Sequence, residues 1–276
     1  MVKPIGLVNK SWLTCPYNLD VVTPEHTDPI VIIGLPRSGT SRIAGVLHLL
    51  GVYMGARFPP TNDDNPRGFF EDKDLTELID FVQCEYITRN ELAVVLKYIF
   101  TSRKSLGNRW GFKTHRIVRY FDLIESLCPH VQIIYCTRDT DTNIDSIAKC
   151  YNMDRDVAAT YAQIMLAEIN EIIARHENVL VIPLERSITE NDLTVKGIID
   201  YCDLTGILKE GLEATMFYLY NYKNTDVWPL DKTISVPNWG RSDRVQDTDQ
   251  WPISTPSLSS ITNYLKPIIS ALEDVP

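Results

Sequence analysis

A short β-branched run closed by glycine, Ile30 to Gly34 (IVIIG), leads directly into Leu35-Pro36-Arg37-Ser38-Gly39-Thr40 and then into a segment with helical spacing. An apolar run without alternation is how a strand buried on both faces reads. Behind the loop, Ser41 to Leu50 places Ile43, Val46, Leu47 and Leu50 on one helical face, and Gly51 is a C-cap candidate. The plan of strand, tight turn and helix then recurs. Val131 to Thr137 predicts a strand and Asp141 to Tyr151 a helix with Ile144, Ile147, Ala148 and Tyr151 inward. Val179 to Ile182 predicts a third buried strand. Between them, Asp154 to His176 predicts an amphipathic helix whose apolar face carries Val157, Tyr161, Ile164, Met165, Ile169, Ile172 and Ile173. Strands alternating with helices predict an α/β fold: a P-loop-like parallel sheet with helices on both sides.

The 276 residues, 44% of them hydrophobic, suffice for one core without disulfide or metal staples, so a single domain over 1–276 is expected. Within it, 1–28 reads as an N-terminal extension, 222–255 as an irregular loop or lid, and 257–272 as a final helix. The net charge of −9 argues against nucleic acid or an anionic membrane as partner, because neither can be held by a bulk negative field. No apolar run is long enough to span a bilayer, and Met1 to Lys10 lacks the apolar core of a secretory signal, so a soluble, cytoplasmic protein is expected. The six cysteines are scattered without a C-x-x-C pair or zinc spacing, which predicts free thiols and no metal site.

Gly34 to Ser41 (GLPRSGTS) has the G-x-x-x-x-G frame of a nucleotide P-loop, yet Thr40 stands where the Walker lysine belongs. The positive charge lies inside the loop instead, at Arg37. Backbone amides, the hydroxyls of Ser38, Thr40 and Ser41, the Gly39 turn and a guanidinium at a helix N-terminus make an anion site. A kinase or other NTPase of this fold is disfavoured by the missing lysine and by the lack of an Asp-rich strand end for magnesium.

This loop resembles the 5′-phosphosulfate loop of sulfotransferases that use 3′-phosphoadenosine 5′-phosphosulfate (PAPS) as donor and release adenosine 3′,5′-bisphosphate (PAP). A second motif agrees: TRDTDTNIDS is similar to the family's 3′-phosphate motif, with Arg138 leaving a strand and Ser146 two turns into the next helix. Those two can converge on one phosphate. Asn65 to Asp72 (NPRGFFED) and Trp110 to Arg116 (WGFKTHR) are similar to segments of the bacterial and Golgi branches. The sequence departs from the family at Thr140, where proline is usual. It departs again at Leu184-Glu185-Arg186, where the aromatic contact to adenine cannot be placed, and in lacking a C-terminal Arg-Lys-Gly element, whose place Arg241 of Asn238-Trp239-Gly240-Arg241 is the candidate to take.

The resemblance implies sulfuryl transfer to a hydroxyl, or an amine, of a small molecule or carbohydrate acceptor, without a metal. Arg37 and Lys113 are then the cations at the transferring group. His115, in a Lys113-Thr114-His115 run like that of cytosolic members, is one candidate for the general base, and Glu71 is the other. Phe217, Tyr218, Tyr220 and Tyr222, with Trp228 and Trp239, are candidates for the wall or lid of the acceptor pocket. The reading from a different class is a non-catalytic nucleotide-binding protein that keeps the phosphate pockets.

Overall fold

The computed structural model describes residues 28–220 apart from 62–64, 66, 106–108, 205–206 and 208. The expected extension at 1–28 apart from Asp28, the irregular loop at 222–255, the helix at 257–272 and the candidates Tyr222, Trp228, Trp239 and Arg241 lie outside the described residues.

Four parallel strands, β1 (Ile30–Ile33), β2 (Gly111–Lys113), β3 (Gln132–Thr137) and β4 (Val179–Pro183), form one sheet in the order β2-β1-β3-β4. β1 lies inside, in register with both neighbours: Ile30 faces Gly111 and Gln132, and Ile32 faces Lys113 and Ile134. Because side chains alternate across a strand, Val31 and Ile33 point to one face and Ile30 and Ile32 to the other. All four are fully buried, which requires cover on both faces.

Helices supply that cover. Val31, Ile33 and Ile133 pack with α2 (Lys73–Gln83), α3 (Arg89–Lys104), α4 (Phe121–Leu127) and part of α6 (Arg155–Ala174), where Leu75, Ile79, Leu96, Phe100, Phe121 and Ile169 complete the core. On the opposite face Ile30, Ile32 and Ile134 meet Ile43 and Leu47 of α1 (Thr40–Leu49), Ile198 of α8 (Asn191–Tyr201) and Tyr218 of α9 (Lys209–Tyr220). The α/β fold with a parallel sheet covered on both sides is therefore as expected. α5 (Thr140–Tyr151) follows β3, and α7 (Leu184–Thr189) follows β4. Among the described residues the cysteines Cys84, Cys128, Cys136, Cys150 and Cys202 are free, and no helix is long and apolar enough to cross a membrane.

Three expectations need correction. β4 is not a buried strand: among the described residues it is the sheet's edge, and Val181 is half exposed. In α6 the buried stripe is Ala158, Ala162, Met165, Ile169 and Ile172, one position round from the expected face, leaving Val157 and Ile164 outward. Ala158 and Ala162 share a cluster with Ile144 and Ile147 of α5, and small side chains let the two helices approach. Tyr151, expected inward, is 46% exposed at the end of α5.

Candidate active site

The carboxyl ends of the four strands carry the site: the loop after β1, Lys113 ending β2, Arg138 following β3 and Leu184 following β4. In an open parallel sheet this edge is where helix N-termini and loop amides gather, and ligands bind there.

The loop after β1 is shaped by backbone sterics. Arg37 (φ 69°) and Gly39 (φ 88°) both take the left-handed conformation, one residue either side of Ser38. For Gly39 the absent side chain also matters, since a Cβ would come within 2.6 Å of Leu184 Cδ1. A Cβ at Gly34 would stand 2.5 Å from the Cys136 carbonyl oxygen, so only glycine lets the loop leave the sheet there.

Three successive carbonyls of the loop are engaged, the first from within the loop and the next two from outside it. Leu35 O accepts from Ser38 Oγ at 2.7 Å and from Ser38 N at 3.2 Å, Pro36 O from Asn143 Nδ2 at 2.7 Å, and Arg37 O from Arg138 Nη1 at 3.1 Å. With the carbonyls committed, the amide side of the turn is the side left for an anion. The loop ends at α1, whose N-cap Gly39 has no side-chain cap and whose first turn holds no acidic residue. The positive end of that helix dipole is thus not neutralised by its own side chains.

The two motifs recognised in sequence meet. Arg37 Nε donates to Ser146 Oγ at 3.3 Å, across 109 residues of chain, and Arg138 holds the same loop from β3. Arg138 forms no ion pair with Asp139 or Asp141; Asp141 is taken by Arg155 at 2.7 Å. Asn143, which sequence reading passed over, is a buried clamp between α5 and the loop. Leu184 packs against Gly39, and Glu185 Oε1 accepts from Asp139 N at 3.2 Å, so the segment that departs from the family joins the loop to the β3 end.

Beside the loop lies a second cluster. Lys113 Nζ is 2.5 Å from Glu71 Oε1 and 3.2 Å from Ser41 Oγ, with its side chain 6% exposed. His115, opening a 3-10 helix over His115–Tyr120, places Nδ1 4.0 Å from the same Glu71 oxygen. The two candidates for the base are neighbours. Burial pushes the His115 imidazole down to about 4, with Lys113 adding to the effect and Glu71 opposing it. The ordinary imidazole value near 6.5 does not hold in this setting. Burial pushes the Glu71 carboxyl up, but Lys113, His115 and Arg116 outweigh this and hold it below the ordinary carboxylate value. Between Lys113 and His115, the buried Thr114 Oγ1 has no hydrogen-bond partner. Among the described residues no three His, Cys, Asp or Glu side chains are grouped as metal ligands.

Glu71 is held from both sides. Phe70 (φ 51°) packs its ring against His48, Phe58 and Tyr218. Asp72 caps α2 by accepting from Asp74 N at 2.9 Å, and its carboxylate pairs with Arg103 of α3, both side chains being buried. Arg103 in turn lies over the rings of Tyr53 and Trp110. Tyr218 is therefore a core anchor rather than a pocket wall; Tyr220 is exposed and donates to Asp192 Oδ1 at 3.1 Å, and Phe217 is half-buried.

A sequence model of the sulfotransferase family matches residues 29–207, more than half of the chain. No curated protein matches. Among solved structures, the chain is similar to the sulfotransferase STF1 of Mycobacterium tuberculosis H37Rv, with 16% identity and a TM-score of 0.49 over 79% of this chain and 78% of that one. STF9 of Mycobacterium avium gives 13% identity and a TM-score of 0.45 over 91% and 78% of the two chains. The sulfotransferase domain of the Synechococcus PCC 7002 olefin synthase gives 16% and 0.47 over 92% and 99%. The family match takes in the loop at Gly34–Ser41, the Lys113-Thr114-His115 run and the Arg138–Ser146 motif, and on it the chain belongs to the sulfotransferase family.

Proposed function

We propose that this transferase takes its sulfuryl group from PAPS and passes it to a hydroxyl, or less readily an amine, of a small molecule or carbohydrate. The observation that carries the reading is the junction of the two phosphate motifs, Arg37 to Ser146 and Arg138 to the Arg37 carbonyl. A donor with a phosphate at each end of its ribose needs two anion sites at one sheet edge.

The donor supplies a sulfuryl group on a phosphate leaving group, and the acceptor oxygen bonds to sulfur as the bond from sulfur to the 5′-phosphate oxygen breaks in line. The protein positions groups and stabilises charge. The amides after Gly34, the α1 N-terminus, Arg37, Ser38, Gly39, Thr40 and Ser41 hold the 5′ end, with Lys113 beside Ser41 placed to take up charge as the bond breaks. Arg138 and Ser146 hold the 3′-phosphate. His115 accepts the acceptor's proton: its imidazole is neutral at pH 7, whereas the nearer Glu71 oxygen is engaged by Lys113. Glu71 then serves as the carboxylate that stabilises the imidazolium.

Thermal unfolding of the protein with PAP, compared with ATP with and without magnesium, tests the donor assignment. A ligand at about a hundred times its Kd stabilises by about 2.7 kcal/mol, which raises Tm by several degrees for a domain of this size. A shift with PAP and little with ATP is expected. A shift only with magnesium-ATP would replace the reading with an NTPase, and no shift with either would overturn it in favour of a protein without this donor.

A further inference from the structure

Lys113 has two masters. Its ammonium contacts Ser41 Oγ at the start of α1, where the donor's 5′ end is assigned, and at the same time Glu71 Oε1, the carboxylate next to His115. Both ends of the ion pair are largely shielded from water: the Lys113 side chain is 6% and the Glu71 side chain 16% accessible. Without donor the cluster is charge-balanced, one ammonium against one carboxylate beside a neutral imidazole, which is the state in which burying it costs least. An oxyanion at the α1 N-terminus changes that balance, because it competes with Glu71 for the Lys113 ammonium, which contacts both Ser41 and Glu71.

We infer that Lys113 is handed from Glu71 to the donor, so that the carboxylate beside His115 becomes available only when the donor is in place. This rests on the PAPS reading. The proton chemistry follows from the hand-over. Once Lys113 is drawn to the anion, Glu71 faces His115 and the more distant Arg116, itself paired with Asp80. A proton leaving the acceptor oxygen for the imidazole then arrives next to a carboxylate that no longer shares its charge with a lysine. Without donor, burial is the main force against protonation of His115; the ammonium adds to it while engaging the Glu71 oxygen that favours the imidazolium. Moving the ammonium to the donor removes that opposition when there is a sulfuryl group to attack. Thr114 joins Lys113, the last residue of β2, to His115, the first of the 3-10 helix, so the two groups leave the sheet edge side by side.

Competition for one ammonium has a measurable consequence, since two ligands of one group must weaken each other. PAP binding is measured by calorimetry on the full chain as wild type, Glu71→Gln, Lys113→Gln and the double variant, with the melting of each checked first; Lys113→Met is the second choice if Lys113→Gln does not fold. Glu71→Gln is expected to tighten PAP binding by about tenfold, within the 5–150-fold range usual for coupled sites. In the Lys113→Gln background the same change is expected to alter Kd by less than about threefold, because no ammonium is left to compete for. Equal tightening in both backgrounds would overturn the hand-over, since it would be a through-space field of the carboxylate, as would no tightening in either. Absence of PAP binding by wild type overturns the donor reading and the hand-over together, whereas binding without coupling overturns only the hand-over.

Discussion

Lowering the pH from 8 to 5 should destabilise this protein through two buried histidines, and one substitution should remove half of that loss. His48 lies in α1 with 6% of its surface accessible, its ring 5.4 Å from Phe58 and 5.6 Å from Phe70 between centroids. Burial there pushes the imidazole from 6.5 to about 4. The folded pKa is below the unfolded one, so between about pH 6.5 and 4 the unfolded chain binds a proton that the folded chain refuses. Stability contributed by the neutral ring is complete above that window and is lost as pH falls through it. From pH 8 to pH 5 the loss for such a group is about 2 kcal/mol, and His115 adds a comparable term. Asp72 acts the other way, since burial raises its carboxyl despite Arg103, but it is common to wild type and variant and cancels in their difference. Urea unfolding of wild type and His48→Phe at pH 8, 6.5 and 5 reads the effect, with phenylalanine retaining the contacts to Phe58 and Phe70. The variant should lose about 2 kcal/mol less than wild type between pH 8 and 5. Equal losses would show that His48 takes its proton in the folded state at its ordinary pKa, and the burial argument would fail.

Further outcomes are expected at the site itself. His115→Ala, folded, should lower kcat by about 10²–10⁴-fold with a smaller change in KM, as removal of a general base does; steady-state turnover with an identified acceptor checks it, and wild-type turnover would pass the role to Glu71. Arg138→Ala should weaken PAP by about 10–100-fold, the range for losing a charge-assisted phosphate contact; unchanged affinity by calorimetry would refute the 3′-phosphate assignment. Asp72→Ala removes the partner of buried Arg103 and the cap of α2, and should cost about 3–5 kcal/mol in denaturant unfolding. A loss under about 1 kcal/mol would mean that the pair contributes little to holding the Glu71 segment.

Local pattern carried much of this protein. β1, the Gly34–Ser41 loop, α1, β3 and α5 are legible because each is specified by residues close together in the chain: β-branched runs, left-handed turn positions and apolar helical spacing. The site residues at the ends of β2 and β3 follow from the same plan, since a parallel sheet gathers its ligand-binding loops at one edge. Bulk misled where packing decided the face. Val157 and Ile164 are larger and more apolar than Ala158 and Ala162, yet the alanines are buried because α5 comes close only over small side chains. Val181 reads as core and stands half exposed, because edge or interior is a property of strand order, not of the strand.

Chemistry shows the same division. Residue types and spacing point to an anion site with Arg37 inside the loop after β1, and the resemblance to sulfotransferases points to Lys113, His115 and Glu71 as the groups that would move charge and protons. Only the tertiary structure decided that Lys113 spans Ser41 and Glu71, that Glu71 and His115 stand together, and that Asp72 and Arg103 pair in the core behind them. The reason is physical: burial and neighbouring charge set the protonation state of a side chain, and both come from residues distant in sequence that meet only when the sheet and its helices have packed.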